Sequence, residues 1–243
     1  MKGNSLIIIP TYNESENIRV IISKILLIDD LNDILVVDDN SPDGTSKIVS
    51  DLKKENKKRI FLINRNKKLG LGSAYRVGFN WALNKKYSYI FEMDADLSHN
   101  PSEIKNLKEF LIKKNCDVVI GSRYINGVSV VNWPLSRIFL SYFANIYVRV
   151  ITGMPIKDST SGFVGYTKES LSSLNISKIK FNGYAFQIEM KFKLWKKNFK
   201  LMEHQIIFVN RILGKSKMNK NIIFEAIFGV IILKINSLLY KDE

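Results

Sequence analysis

The 243-residue chain has only one cysteine, Cys116, and it has no apolar run long enough to cross a membrane. A lone cysteine excludes an intrachain disulfide, a zinc cluster built from cysteines and a redox pair. A spanning helix needs about 20 apolar residues, and the longest apolar stretch, at 222–235, is interrupted by Glu225 and Lys234. The first apolar run, at 5–9, is too short for the core of a signal peptide, so we expect the protein to stay in the cytoplasm.

Acidic residues are scarce relative to basic ones. The chain carries 37 Lys and Arg against 23 Asp and Glu, which gives a net charge of +14. Between Lys191 and Lys220 there are nine basic residues and one acidic residue, Glu203. This excess indicates an anionic partner, which could be nucleic acid, a phosphorylated substrate or an anionic membrane surface, while base-composition bias in the genome is an equally good explanation.

Short apolar runs alternate with segments of helical periodicity along the first half of the chain. Runs at 6–9, 34–37, 60–63, 89–93 and 117–120 predict strands, and helices are predicted to begin near Glu14, Thr45, Gly70 and Pro101. Because these strands are continuously apolar rather than alternating, they are typical of a parallel sheet with helices on both faces. A length of 243 residues with 46% hydrophobic content suits one large α/β domain.

The run from Tyr89 to His99 contains two carboxylates, Asp94 and Asp96, one residue apart. Buried strands do not tolerate free carboxylates, so both should lie where the strand emerges at its carboxyl end, the edge at which open α/β sheets bind ligands. Alternate residues of an extended chain face the same way, and two such carboxylates can hold one hard divalent cation through oxygen. An isolated Asp-x-Asp is more often a solvated loop, so the neighbouring loops must decide between the two interpretations.

Polar loops follow the other predicted strands, and a parallel sheet brings them to the same edge. These loops are residues 11–14 and 38–44. The spacing of their acids suits a nucleotide held at its diphosphate by a metal, with Asp39 free for contacts to the base or the ribose. Gly70 and Gly72 resemble part of a dinucleotide fingerprint but lack its full spacing, which disfavours an NAD site.

Eight motifs occur in a characteristic order along the chain. They are PTYNE at 10–14, VDDNSPDGT at 37–45, GLG at 70–72, MDAD at 93–96, GSRY at 121–124, DSTSGF at 158–163, GYAFQIE at 183–189 and RILGKSK at 211–217. Together they resemble the GT-A glycosyltransferases, and within that group the polyprenol-phosphate (dolichol-phosphate) mannose synthases. The resemblance covers residues 5–220, and its second half is what narrows it to polyprenol-phosphate acceptors.

The resemblance implies a GT-A fold, with a mostly parallel central sheet flanked by helices, and an inverting, metal-dependent transfer of mannose from GDP-mannose to polyprenyl phosphate. The product would be a lipid-linked sugar donor for glycosylation. The resemblance also implies the site residues: Pro10, Tyr12, Glu14, Val37 and Asp39 for the nucleoside, Ala95, Arg123, Arg211 and Lys217 for the diphosphate, Arg137 and Ser141 for the acceptor phosphate, and Asp94 and Asp96 for Mg²⁺ or Mn²⁺. Of these, Asp96, Arg123 and Arg211 would be catalytic. Some members have a glutamine as a further metal ligand at the position of Ser98, which makes Ser98 a doubtful ligand here.

A phosphate acceptor removes the need for a general base in the site. A phosphate monoester is largely ionised at neutral pH because its second pKa is about 6, so it can attack without a general base. This fits a chain whose only histidines are His99 and His204. We expect His99, beside the metal loop, to support the site rather than to bind the metal.

The C-terminal residues 219–243 are predicted to form an amphipathic helix outside the domain of residues 1–218. Asn221, Glu225 and Gly229 form its narrow polar strip, and the lysine-rich stretch before it favours an anionic lipid surface. Its removal is therefore expected to spare the nucleotide site. The apolar segment 138–148 is a second membrane candidate, with a core helix as an equal alternative. We expect a peripheral protein on the cytoplasmic face of a membrane, with a separate membrane-anchoring subunit left open.

Two other functions remain open from the sequence. Within the enzyme class, the alternative is glycosyl transfer from UDP-glucose or another nucleotide sugar to the same lipid. Outside the enzyme class, the alternative is a basic module that binds nucleic acid or membrane without catalysis. The paired acids disfavour nucleic acid as a partner, because carboxylates repel a phosphate backbone unless a metal intervenes.

Overall fold

A computed structural model of the chain describes residues 3–29, 31–211 and 220–239. The strands are β1 (Ser5–Thr11), β2 (Asn32–Asp38), β3 (Ile60–Asn64), β4 (Tyr89–Glu92), β5 (Val118–Ser122), β6 (Val130–Val131), β7 (Val164–Thr167), β8 (Leu201–Gln205) and β9 (Phe208–Val209). The helices are α1 (Ile18–Leu26), α2 (Thr45–Glu55), α3 (Leu71–Leu83), α4 (Glu103–Lys114), α5 (Leu135–Thr152), α6 (Lys168–Ser172), α7 (Gly183–Lys196) and α8 (Lys220–Leu239), with a 3-10 turn at Ile176–Lys178.

Seven of the strands form one central sheet in the order β3-β2-β1-β4-β7-β5-β8. Strand β1 is parallel to β2 and β4, β2 is parallel to β3, and β5 is parallel to β8. Strand β7 runs antiparallel to both of its neighbours, β4 and β5. Strands β6 and β9 pair with each other in a separate small sheet. The predicted fold class, a mostly parallel sheet flanked by helices, is therefore confirmed.

The strand β7 is the main departure from the sequence pattern, which indicated a parallel sheet. Its four residues include Gly165, so they present no continuous apolar run. The glycine is required by packing, because a Cβ at this position would lie 2.5 Å from the ring of Phe91 on β4. Helix α1 also begins later than predicted, at Ile18, because the carbonyl of Glu14 first accepts the N–H groups of Asn17 and Ile18 in a turn.

Two hydrophobic cores lie on opposite faces of the sheet. On one face, Leu6 and Ile8 of β1 pack with side chains from α3 and α7, including Phe79. On the other face, Ile7 and Ile9 pack with side chains from α1, α2 and α4. Because alternate residues of β1 point to opposite faces and both faces are covered, every one of these positions must be apolar. This explains the continuous apolar runs in the sequence.

The carboxyl ends of β1, β2 and β4 lie side by side at one edge of the sheet. Thr11 pairs with Asp38, and Ile8 pairs with Glu92. The loops that follow, at 11–14, 38–44 and 93–99, therefore leave the sheet next to one another, as expected for parallel strands. Within the three described ranges, no helix combines the length and the apolar character needed to cross a bilayer.

Candidate active site

A pocket of about 390 Å³ opens at this edge of the sheet, a size typical of small-molecule sites. Its walls bring together ten of the residues that the resemblance assigned: Pro10, Tyr12, Glu14, Asp39, Asp94, Ala95, Asp96, Arg123, Arg137 and Arg211. The side chain of Val37 is fully buried in the core below the pocket. Lys217 lies outside the described residues.

Asp96 lies in a turn that its own carboxylate stabilises. Its Oδ1 accepts the N–H of Ser98 at 3.1 Å, and Leu97 between them has a positive φ of 61°, a conformation that leucine rarely adopts. Its Oδ2 lies 3.0 Å from the guanidinium of Arg211. Burial pushes the pKa of Asp96 upward, but hydrogen bonding from Ser98 and the charge of Arg211 outweigh burial and hold it below its ordinary value. The structure thus gives Ser98 a role in shaping Asp96.

Asp94 and Asp96 form the donor set that a divalent cation would use. Burial, followed by the negative charge of Asp96, raises the pKa of Asp94 to about 7. In the described part of the chain, no group of three or more His, Cys, Asp or Glu side chains is arranged so that it could hold a metal ion, so this pair would supply two ligands. Magnesium sites commonly consist of one or two carboxylates completed by substrate phosphates and water. The two residues fit a cation that binds together with a diphosphate.

His99 supports the same loop. The N–H of Asp94 donates to His99 Nδ1 at 3.4 Å, and the imidazole stacks on Phe163 with the ring centroids 4.8 Å apart. Burial lowers the pKa of His99 to about 4, so the ring is neutral at pH 7. A neutral ring that accepts a backbone N–H agrees with the supporting role predicted for this histidine.

Arg123 is held by an acid that lies 35 residues further along the chain. Its Nε and Nη2 donate to Asp158 Oδ2 and Oδ1, each at 2.7 Å, and Nη2 also donates to Thr160 Oγ1 at 2.9 Å. The backbone N–H of Arg123 donates to Asp158 as well, at 2.9 Å. Two of the three guanidinium nitrogens, Nε and Nη2, therefore donate to residues of the pocket wall. The same two nitrogens could not bind a phosphate as a fork at the same time.

Asp39 is not free, contrary to the sequence expectation. Its carboxylate forms an ion pair with Arg65 and accepts the N–H of Leu69 at 3.0 Å. Lys68 lies 4.2 Å from the ring centroid of Tyr12, and both side chains line the pocket. Neither Arg65 nor Lys68 was among the residues predicted from the sequence, although both follow β3 and therefore belong to a loop at the same sheet edge.

Arg137 and Ser141 lie one turn apart on α5. The guanidinium of Arg137 stacks on Trp133 at 3.9 Å from the ring centroid, and its Nη1 donates to Asn210 Oδ1 at 3.0 Å. Ser141 accepts the hydroxyl of Tyr124 at 2.7 Å. Arg137 thus faces the pocket, whereas Ser141 connects α5 to the loop that follows β5.

A buried polar layer lies under the pocket and was also missed by the sequence analysis. Glu92 accepts hydrogen bonds from Tyr166 Oη, at 3.0 Å, and from Gln187 Nε2. Lys191 Nζ donates to Gln187 Oε1 at 3.0 Å and to the carbonyl of Ser161 at 2.8 Å. Burial raises the pKa of Glu92 and lowers that of Lys191. The layer joins β4 to α7 and fixes the segment at 161–162 that lines the pocket.

The contrasting environments of the two arginines lead to a testable difference. We expect Arg123→Lys to lower the free energy of unfolding by about 2 kcal/mol, because an ammonium cannot replace the two-nitrogen fork and Asp158 is fully buried. Arg211 is partly exposed, so Arg211→Lys should leave the melting temperature nearly unchanged. Urea and thermal unfolding would measure both variants, with Lys54→Ala, which breaks an exposed ion pair, as the control. Equal stability of the two lysine variants would contradict this assignment.

The family model described as glycosyl transferase family 2 matches residues 6–174, which is more than half of the chain. Polyprenol monophosphomannose synthase from Mycolicibacterium smegmatis is 42% identical over 226 residues, covering 93% of this chain and 85% of that protein. Undecaprenyl-phosphate mannosyltransferase from Micrococcus luteus is 38% identical over 225 residues, covering 93% of this chain and 91% of that protein.

Among solved structures, glucosyl-3-phosphoglycerate synthase from Mycobacterium tuberculosis, in complex with Mn²⁺, uridine diphosphate and glucosyl-3-phosphoglycerate, is similar with a TM-score of 0.67. The match covers 97% of this chain and 80% of that chain at 16% identity, so it shows the shared fold alone. The resemblance to the polyprenol-phosphate mannose synthases is confirmed by the relatives at 38% and 42% identity. The chain belongs to glycosyl transferase family 2, and it is a glycosyltransferase.

Proposed function

We propose that this protein transfers mannose from GDP-mannose to a polyprenyl phosphate, with inversion at the anomeric carbon and with Mg²⁺ or Mn²⁺ bound. The observation that carries the proposal is the pair Asp94 and Asp96 in one pocket with Arg137 and Arg211, while Arg123 is held by Asp158 in the pocket wall. Such a set of groups suits a reaction between two phosphorylated substrates. The names of the two relatives, which join mannose to a polyprenol-type phosphate, support the sugar and the acceptor class.

In the proposed reaction, a phosphate oxygen of the lipid attacks the anomeric carbon of mannose. The bond from that carbon to the diphosphate breaks, and GDP leaves with the electron pair. A single displacement of this kind inverts the configuration. The attacking phosphate is already ionised, because its second pKa is about 6, so the reaction needs no general base. This suits a site in which His99 is neutral and accepts the Asp94 N–H.

Different residues of the chain would bind the donor and the acceptor. The negative charge that develops on GDP is best stabilised by groups already fixed in place. A divalent cation held by Asp94 and Asp96 would neutralise the donor diphosphate when bound. Arg211 lies beside Asp96 and would donate to the same phosphates, while Arg137 at the start of α5 would hold the acceptor phosphate.

The surface of α8 supports attachment to a membrane interface. Two residues of the predicted polar strip contact the domain, since Glu225 accepts the N–H of Asn182 and Gly229 packs against Phe181. Val230 and Leu233 are also buried. The outer side of α8 exposes apolar side chains: Ile227, Phe228, Ile231, Ile232, Ile235, Leu238 and Leu239. An apolar outer face of this length is typical of a surface that enters a lipid interface.

Helix α5 extends this apolar surface. It packs against α8, where the hydroxyl of Tyr147 donates to the carbonyl of Ile227 at 2.8 Å. Its own outer face exposes Leu135, Phe139, Leu140, Tyr142, Phe143 and Val150. Because Arg137 lies in the first turn of α5 and also lines the pocket, a lipid lying along this surface would bring its phosphate to the pocket entrance. This surface supports the part of the proposal that has the protein bind peripherally to a membrane, and we propose the cytoplasmic face as its location.

The donor and acceptor can be tested directly. Purified protein would be incubated with polyprenyl phosphate, Mn²⁺ or Mg²⁺, and either GDP-mannose or UDP-glucose, and lipid-linked sugar would be extracted and identified. We expect polyprenyl-phosphate mannose from GDP-mannose in excess over any product from UDP-glucose. A preference for UDP-glucose would replace the proposed donor, and the absence of lipid-linked sugar from both donors would reject the acceptor class.

Metal dependence can be tested with Asp96→Asn, which keeps an oxygen able to accept the Ser98 N–H. We expect turnover to fall by about 10²-fold or more, because the diphosphate loses part of its neutralising set. Titration calorimetry should also show weaker Mn²⁺ binding in the presence of GDP. Asp33→Asn serves as the control, since Asp33 lies at the amino end of β2, away from the pocket, and accepts the hydroxyl of Tyr87. Full turnover of the parent protein in EDTA would contradict the metal requirement.

Membrane attachment can be tested on the outer face of α8. Truncation of α8 is unsuitable as a test, because Glu225 lines the pocket. This position conflicts with the expectation from the sequence that removal of the C-terminal helix spares the nucleotide site. We expect the triple variant Phe228→Gln, Ile232→Gln, Ile235→Gln to lose binding to liposomes that contain anionic lipid. Transfer to a long-chain acceptor in liposomes should fall, while transfer to a short, water-soluble prenyl phosphate should persist.

The matched control replaces three exposed apolar residues away from α8, with Val20→Gln in α1, Leu27→Gln directly after α1 and Ile112→Gln in α4. These substitutions remove a comparable amount of exposed apolar surface, and we expect them to leave liposome binding unchanged. Equal losses in the two triple variants, or a fall in melting temperature with loss on both acceptors, would show that the outer face of α8 is not the membrane contact.

A further inference from the structure

Glu225 is a carboxylate on the C-terminal helix α8, yet it lines the pocket at the sheet edge. Close packing of α8 against the domain holds Glu225 in this position. One turn further along, Gly229 lets α8 approach Phe181 so closely that a Cβ there would lie 3.1 Å from the ring. The burial of Val230 and Leu233 continues this contact along the helix. The register of α8 therefore holds Glu225 against the start of α7.

The contact of Glu225 stabilises the first turn of α7. Its Oε1 accepts the backbone N–H of Asn182, the residue before the helix, at 2.7 Å. The first N–H groups of a helix need acceptors, and a negative charge there complements the helix dipole. The next residue, Gly183, has a positive φ of 54° and lines the pocket with Tyr184. Glu225, which lies on α8, thus stabilises the part of the pocket wall that Gly183 and Tyr184 form at the start of α7.

The side chain of Asn182 contacts a second helix. Its Oδ1 accepts the N–H of Ser73 in the first turn of α3, at 3.1 Å. Ser73 Oγ accepts Arg65 Nη1 at 2.6 Å, and Arg65 pairs with Asp39. A continuous set of hydrogen bonds therefore runs from α8 to the loop that carries Asp39, the residue expected to contact the donor nucleoside.

We infer that Glu225 is a positioning residue for the nucleotide donor, acting through Asn182 on the start of α3 and on the Arg65–Asp39 pair. The inference rests on the proposed function in that the pocket binds a nucleotide sugar. It adds that the helix with the apolar outer face also shapes the donor side of the pocket. Donor affinity, and not only lipid access, therefore depends on how α8 is seated on the domain.

The test uses the full-length chain with the short, water-soluble acceptor, so that membrane binding does not enter. For Glu225→Ala we expect the donor KM and the Kd of GDP with Mn²⁺ to rise by about tenfold, with kcat and the acceptor KM changed by less than about twofold. Glu225→Gln keeps an oxygen for the Asn182 N–H and should recover most of the affinity. Glu109→Ala is the matched control, since Glu109 pairs with Lys113 on the exposed side of α4.

A double-variant cycle separates positioning from direct contact. Asn182→Ala removes the acceptor for Ser73 but keeps the backbone N–H. If Glu225 acts through Asn182, adding Glu225→Ala to this variant should weaken GDP binding by less than about twofold further. A full tenfold further loss would show that Glu225 touches the nucleotide itself and would overturn the inference. A lowered melting temperature with kcat reduced and no recovery by Glu225→Gln would also overturn it.

Failure of the proposed function would give a different result. Binding of UDP would be measured beside GDP, so the effect of Glu225→Ala can be taken from whichever nucleotide the parent protein binds. Weaker nucleotide binding by the variant, with no sugar transfer to polyprenyl phosphate by the parent, would reject the proposed reaction and support the role of Glu225. Unchanged nucleotide affinity in the variant, with transfer intact in the parent, would support the proposed reaction and reject the role of Glu225.

Discussion

The pocket depends on the neutralisation of acidic side chains that the fold buries at one edge of the sheet. A buried carboxylate is costly unless a basic partner and hydrogen bonds accompany it. The pairs are Asp39 with Arg65, Asp96 with Arg211, Asp158 with Arg123, and Glu92 with Lys191 through Gln187. Asp94 lies among them with its pKa raised to about 7 by burial and by Asp96. The edge is therefore organised so that one more positive charge, such as a metal ion, would relieve the remaining repulsion.

This arrangement separates two roles that basic residues have at the site. Arg123 and Arg65 donate hydrogen bonds to carboxylates of the protein and so hold the pocket walls in place. Arg211 is more exposed than either of them, and Arg211 and Arg137 both line the pocket, where we propose that the phosphates of the two substrates bind. A guanidinium used in a buried fork cannot serve a ligand through the same nitrogens, since each N–H makes one good hydrogen bond. The four arginines are thus not interchangeable.

The helix α8 gives the pocket a physical connection to the surface of the protein. Its inner side presents Glu225 and Gly229 to the start of α7, while its outer side is apolar and continues onto α5. A helix lying on a membrane usually turns its polar strip toward water. Here Glu225 and Gly229 face the domain, so the exposed apolar surface and the support of the pocket are opposite sides of one helix.

The first half of the fold follows from the sequence alone, and so does the sheet edge at which the candidate site lies. Strands β1 to β5 and helices α1 to α4 follow from apolar runs and caps that are local in the chain, and parallel strands necessarily place Asp94 and Asp96 at a shared edge with the loops at 11–14 and 38–44. Three other features are visible only once the chain is folded: β7 inserts antiparallel between β4 and β5, Asp158 accepts both hydrogen bonds of the Arg123 fork, and Glu225 contacts Asn182. These contacts join residues 35 and 43 positions apart, and periodicity contains no information about such partners because their meeting depends on strand order and helix register.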